Sequence, residues 1–374
     1  MRNGYAFLVS LALALLGAPV HAANAAAAKK PPPTQKQVNV YNWADFIGSS
    51  TLQRFERETG IKVVYDTYDA EETMEAKLLT GQSGYDVVSA STNFFSRQIK
   101  AGVYRPLDKR LLPNWKNLDP KVLQLQAASD PGNKHAVPYL HAINGFTYNV
   151  DMIKKRMPDA PVDSLRMLFD PNVVRRFADC GVSWLDSPDD VMQLALVYLK
   201  LDPNTKKKED FEAAERMLAK ARPYIRKFDS VEYMNSLADR DLCMAMSWSS
   251  DYANIMARAR EAGAPLKLAF TIPKEGANLT FSSLLVPKDA PHPEAAHAFL
   301  DFILRPDVIA EVTNEIYYGN SNLAANKLVR PEILKDPALY PDASTRSRLY
   351  LTEEMDLPTQ RIRTRIWTRV TTGR

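Results

Sequence analysis

Two short stretches of this chain set an indole beside a carboxylate. In YNWADFI (41–47) Trp43 stands two residues before Asp45, and in LCMAMSWSSD (242–251) Trp248 stands three residues before Asp251. A carboxylate next to an indole face suits an ammonium ion. The charge-assisted hydrogen bond is short and strong, and the ring quadrupole adds roughly 0.5–2 kcal/mol once water is excluded. Two such pairs across one cleft would suit a cation charged at each end. The plainer alternative is that both tryptophans are core and both aspartates cap helices, Asp251 above all, since it falls where an N-cap belongs. Tyr317 and Tyr318 are adjacent, and neighbouring tyrosines are hard oxygen ligands that could hold ferric iron. Against that, successive side chains diverge, which would put one in a core and the other at a cleft rim.

Enzyme templates fit poorly. The chain has no GxGxxG, no GxxxxGK[ST], no HExxH and no GxSxG, and its five histidines (21, 135, 141, 292, 297) include no pair at zinc-ligand spacing. Paired carboxylates are abundant, so spacing alone leaves a glycosidase open. The reading expected is a binding protein rather than an enzyme, with no cofactor and no metal.

The elements that must position these residues follow from the pattern. Val38–Trp43 alternates as a strand does. Ser50, with Gln53 three residues on, offers a capping box for a helix that ends at Gly60. Ile61–Tyr65 and Tyr85–Ser89 are two more strands, separated by a helix over 70–80. A polar turn at 89–92 leads to a further helix. This βαβ spacing implies a parallel sheet, and ligands of such sheets sit outside the carboxyl ends of the strands. After an extended run at His135–Asn149 the device restarts. Strands are expected at Cys180–Leu185 and Leu242–Trp248, each followed by a helix, with short extended pieces at 267–273 and 283–287. The stretch from Lys327 onward, rich in Pro and Arg, is expected to hold short helices. In each half a strand thus delivers a Trp and then a carboxylate at a helix N-terminus. The expected fold is α/β, a two-lobed type II binding protein with a hinge and a cleft. Lobe 1 is 38–140 plus 277–321, and lobe 2 is 141–276 plus 322–374.

Composition agrees with an exported globular protein. The 374 residues are 45% hydrophobic and 25% charged, enough for two cores. Residues 1–22 read as a signal peptide, with Arg2, an apolar run at 6–16 too short to span a bilayer, and a small-residue site at 20–22. Residues 23–37 read as a flexible leader. The formal charge of +4, or +3 once Arg2 is removed, is too balanced to argue for nucleic acid. No later stretch is apolar enough to span a membrane. Cys180 and Cys243 are the two cysteines. In an oxidising compartment a disulfide is the natural reading, stabilising by roughly 4 kcal/mol on the chain-entropy model, and two buried thiols are the alternative.

The motifs in their order resemble a known family. YNWADFI, FERETGIKVVYDTYDAEETMEAKLLTG, AGVYRPLDKRLLPNWKNLDP, VPYLHAINGFTYNVD, CGVSWLDSPDDV, LCMAMSWSSD, FTIPKEGA, LRPD and RTRIWT are similar to segments of the periplasmic polyamine-binding proteins of ABC importers, closest to the putrescine-binding branch. The resemblance covers nearly all of the chain after the leader. It implies a monomeric two-lobed periplasmic receptor that closes on a polyamine such as putrescine or spermidine and delivers it to an inner-membrane permease with its ATPase. The fold alone would equally serve an amine sensor subunit. The resemblance further implies ligand contacts at Trp43, Ala44, Asp45, Phe46, Ser91, Asp190, Trp248, Asp251, Thr280, Ser282 and Tyr318, and a Cys180–Cys243 disulfide.

This chain departs from the family's pattern at several of those positions. Ala44 and Phe46 stand where the family tends to carry hydroxyls, and Asp190 stands where related receptors tend to carry Glu. Thr280 and Ser282 replace an aromatic and an Asp. A buried ammonium without an anionic partner costs several kcal/mol, so the pocket is expected to be retuned: weaker for putrescine, or matched to a longer polyamine, a guanidino amine or a ligand with one charged end.

Overall fold

The computed structural model describes residues 36–373 apart from Asp45 and Ala264. The expected signal peptide, almost all of the leader, and Asp45 lie outside the described residues. The leader's last residue, Gln37, belongs to the first strand.

Eleven strands among the described residues join one mixed sheet. They are β1 (Gln37–Trp43), β2 (Lys62–Tyr68), β3 (Val87–Ser91), β4 (Ala136–Asn149), β5 (Val182–Trp184), β6 (Lys227–Phe228), β7 (Met244–Trp248), β8 (Leu268–Thr271), β9 (Ala277–Leu285), β10 (Gly319–Asn320) and β11 (Leu349–Tyr350). The order is β2-β1-β3-β9-β4-β7-β5-β6, with β8 and β10 on β4 and β11 on β9. Two parallel triplets, β2-β1-β3 and β7-β5-β6, contain the two βα series expected from the sequence, the second extended by the unexpected two-residue β6. Between them run the antiparallel strands β9 and β4.

The fourteen residues of β4 serve both halves. Positions 136–143 pair with β9, and Asn144–Tyr148 pair with β7. The side chains on the two sides enter different cores. Phe146, Val182, Trp184, Leu194 and Met246 belong to one, and Val38, Val40, Val87, Val137 and Leu284 to the other. On the opposite face of β1–β3 a third cluster gathers Tyr41, Tyr68, Met74 and Tyr85. This is the period-2 alternation of a strand buried on both faces. Ala325, Val329, Ile333 and Leu339 pack into the core built on Val38 and Val40.

Several local expectations change. Ser50 makes no capping hydrogen bond to the helix Thr51–Thr59. Its hydroxyl donates instead to Glu311 Oε1 at 2.6 Å, a carboxylate that a neighbouring helix brings close. Gly60 does end that helix in the left-handed region (φ 73°). The polar turn expected at 89–92 is absent: Ser89–Ser91 finish β3 and Thr92 begins the next helix directly. The extended piece expected at 283–287 is the nine-residue β9, because both β3 and β4 offer it ladders. The C-terminal stretch ends in a sixteen-residue helix, Leu357–Thr372, capped by Asp356, rather than in short helices alone. Cys180 and Cys243 are joined by a disulfide that ties the start of β5 to that of β7.

Candidate functional site

The carboxyl ends of β1 and β3 and the N-termini of the helices after β5 and β7 supply most of the expected residues. Trp43 ends β1, half-buried, its ring 4.7 Å from that of Tyr68. Ala44 is exposed and its N–H donates to Tyr68 O at 3.4 Å. Phe46 is buried, with its ring edge-on to Tyr318 at 4.6 Å and to Tyr139 at 5.9 Å. The Tyr139 hydroxyl donates to Phe46 O at 2.8 Å and fixes the chain after β1.

Asp251 does not cap its helix. The helix Ser249–Glu261 has Trp248 at its N-cap, which puts Asp251 inside the first turn. Its carboxylate, 7% exposed, instead accepts from the Tyr233 hydroxyl on Oδ2 and from the Tyr318 hydroxyl on Oδ1 at 3.3 Å. Those donors are neutral. Burial outweighs them and pushes Asp251 up to about 6. The two tyrosines of the YYGN segment part company. Tyr317, in the left-handed region at φ 60°, stacks its ring with the Arg330 guanidinium at 5.2 Å, while Tyr318 turns to Asp251 and Phe46. An adjacent tyrosine pair gripping one metal is not the arrangement here.

Asp190 heads the helix Pro188–Tyr198. Ser187, the N-cap, donates its hydroxyl to Asp190 Oδ2 at 2.7 Å, and Asn144 donates its amide to Oδ1 at 3.1 Å. Burial again dominates and pushes Asp190 up to about 6. Asn144 lies opposite Trp248 in the β4–β7 ladder, so this carboxylate and the second indole are set around one point of β4. The partners of Asp190 and Asp251 do not overlap. The two acids are two separate anionic positions.

Ser91 is not in a loop but is the buried last residue of β3. Its N–H donates to Glu71 Oε1 at 2.6 Å, and its hydroxyl contacts both Glu71 Oε2 and Asn93 Oδ1, the latter at 2.6 Å. One hydroxyl hydrogen serves one acceptor. A proton on Glu71 resolves the arrangement, and burial pushes Glu71 up to about 7. Asn93 in turn donates to Asp189 Oδ2 at 3.2 Å, and Arg363 pairs with Asp189. Thr280 and Ser282 lie two residues apart on β9, with Ser282 opposite Ser91 in the β3–β9 ladder and Thr280 accepting from the Asn278 amide at 2.9 Å.

Sequence reasoning missed Glu71, Tyr233, Asn144 and Asn278. Glu71 had a signal, because it follows the carboxyl end of β2 as Asp45 follows that of β1. Asn144 had a weaker one, as an amide next to Gly145 in the middle of a fourteen-residue strand. Tyr233 had none: it arrives from a six-residue helix by packing alone.

A sheet of two parallel triplets joined by antiparallel crossing strands, with polar clusters at the crossing, defines a class of extracellular solute receptor. Residues 50–341 match the family described as bacterial extracellular solute-binding protein, and the chain belongs to that family. It is 44% identical over 342 residues, 91% of this chain and 92% of the relative, to the putrescine-binding periplasmic protein PotF of Escherichia coli. With SpuD, a putrescine-binding periplasmic protein of Pseudomonas aeruginosa, it is 43% identical over 97% of this chain and 98% of the relative. Among solved structures, a putative spermidine/putrescine ABC transporter from Listeria monocytogenes superposes with a TM-score of 0.81 at 29% identity, covering 91% of this chain and all of that one. A receptor of Agrobacterium in complex with agropinic acid, at 19% identity and a TM-score of 0.66, shares the fold. The resemblance drawn from the motifs is the one these relatives carry.

Proposed function

We propose that this chain is an extracytoplasmic receptor that captures a polyamine, without altering it, and delivers it to an ABC importer. The observation that carries the reading is Asp251, a buried carboxylate whose hydrogen bonds come from the neutral hydroxyls of Tyr233, Tyr318 and Ser250. A buried anion held by neutral donors gains most from a cation brought into contact with it. Trp248 and Trp43 supply aromatic faces for a methylene chain, and Asp190 supplies a second anionic position. Asp45, from its place after β1, is proposed as a further amine ligand. The relatives named for putrescine and spermidine binding support the same class of solute.

The two cores are proposed as two lobes that close about β4 and β9, with 322–340 moving with the first core. Closure removes water and strengthens each charged contact. The mature chain is proposed to act in the periplasm, as its relatives' names place them, and to meet a permease in the inner membrane. No described helix is long and apolar enough to cross a membrane. With Thr280 and Ser282 on β9 in place of an aromatic and an acid, the pocket is proposed to be retuned among amines. Isothermal titration of the mature protein with putrescine, cadaverine, agmatine and spermidine tests both statements. Binding of none of them sinks the receptor reading, and nanomolar putrescine binding with no preference for another amine sinks the retuning.

A further inference from the structure

Two buried polar atoms beside Asp190 have no hydrogen-bond partner among the described residues. One is the Tyr350 hydroxyl and the other is Asn278 Oδ1. Such groups are uncommon in folded proteins, and each calls for an explanation. They are not scattered. Tyr350 on β11 lies directly opposite Asn278 on β9 in a parallel ladder, so the two side chains project from the same face of the sheet. Asn278 is 5% exposed. Its N–H donates to Asn144 Oδ1 at 2.8 Å, and the Asn144 amide donates onward to Asp190 Oδ1 at 3.1 Å. Asn278, Thr280 and Ser282 alternate along β9 and therefore share that face, with the Asn278 amide donating to Thr280 Oγ1 at 2.9 Å. The Asp190 charge reaches Tyr350 as well: together with burial, the larger cause, it holds the phenol well above its ordinary range.

What these atoms lack is a donor. Asp190, Asn278 Oδ1 and the Tyr350 oxygen are acceptors drawn from three elements. Arg363, the neighbouring cation, pairs with Asp189 through Nη2, and its buried Nε bonds neither orphan oxygen and has no partner among the described residues. We infer that Tyr350 and Asn278 are ligand-binding residues, forming with Asp190 an acceptor cluster for one protonated nitrogen head of the solute, ammonium or guanidinium. The inference rests on the amine-receptor reading and deepens it. An ammonium has three N–H groups and a guanidinium five, and each orphan oxygen gains a bond that the unliganded fold withholds. Nothing in the sequence pointed to Tyr350, because its strand is two residues long and sits in the Pro- and Arg-rich tail.

Tyr350→Phe removes the hydroxyl and keeps the ring. The test is titration calorimetry of mature wild type and variant with putrescine, agmatine and spermidine, beside the melting temperature of each protein without ligand. The expected result is a loss of about tenfold in affinity for the amine that wild type binds best. It comes with an unliganded melting temperature equal to or above that of wild type, since an unpartnered buried hydroxyl gives the empty fold nothing. The amine that loses most identifies the head as ammonium or guanidinium. Equal affinities in the two proteins overturn the inference, as does a lowered unliganded melting temperature with unchanged affinity, which marks the hydroxyl as structural. Wild type that binds no amine instead overturns the receptor reading on which it stands.

Discussion

Tyr318 gives its hydroxyl hydrogen to Asp251 at 3.3 Å, joining segments 67 residues apart in the chain. Tyr318 also packs on Phe46, beside the core built on Val38 and Val40, while Asp251 takes a further hydrogen bond from Tyr233 in the opposite core. The buried acid is therefore held from both sides of the crossing strands. Its neighbour along the helix, Asn254, donates to Ile316 O at 2.9 Å and reinforces the same junction. A cation beside Asp251 would be bound by both halves at once, which is how binding would be coupled to the closure proposed above.

Asp251→Asn keeps the shape and removes the charge. Amine affinity should fall by about a hundredfold or more, as expected when a desolvated charge pair loses its anion. The unliganded protein should melt no lower than wild type, because a buried charge without a cation is itself costly. Calorimetry and thermal melting of the same samples check both. Retained affinity would remove Asp251 from the site.

Binding and stability should respond to pH in opposite directions. Asp190 and Asp251 are pushed up to about 6 and Glu71 up to about 7 by burial. A carboxylate whose folded pKa is raised adds stability that is full below its unfolded pKa and is lost as pH rises through the folded one. Between pH 8 and pH 5 the unliganded melting temperature should therefore gain a favourable contribution from these groups. Over the same range an amine loses its anionic partners, and affinity should fall by about tenfold for each carboxylate protonated at pH 5. Affinity that is flat from pH 8 to pH 5 contradicts the roles given to both aspartates.

Ser282→Asp adds an acid to β9 opposite Ser91. Its side chain is buried, so the unliganded variant should melt lower than wild type. Putrescine should bind it more tightly by about tenfold or more, since a second ammonium then finds a carboxylate. A variant that loses stability without gaining affinity would place Ser282 away from the amine.

Reduction of the Cys180–Cys243 bond reopens a loop with a sequence separation of 63. The chain-entropy model gives a loss of about 4 kcal/mol. Urea midpoints with and without reductant should show it. Amine affinity should be unchanged, because the bond sits at the amino ends of β5 and β7, whereas Trp248 is the carboxyl-terminal residue of β7 and Asp190 lies beyond the carboxyl end of β5.

Local chemistry made much of this legible in the sequence. Period-2 alternation located β1, short strand-like runs between helices located β2, β5 and β7, and Gly60 ended its helix because a left-handed residue was needed there. The Trp–acid pairs at strand ends were visible because a parallel sheet exposes its carboxyl ends. Ser50 misled because its capping potential is local while Glu311, which takes its hydroxyl, is 261 residues away. β9 was cut short because its strength comes from ladders to β3 and β4, which no local pattern records.

By itself, then, the sequence determined most of the first elements, the family and the class of charge the site must hold, since each depends on residues a few positions apart. Only the tertiary structure decided which acids are stripped of water and what faces them. Asp251 is a buried anion because Tyr233 and Tyr318 arrive from distant segments. Tyr350 stands by Asn278 because a two-residue strand pairs across 72 residues of chain. Burial and partner choice are long-range properties, fixed when the cores pack, and they turn a list of polar residues into a site.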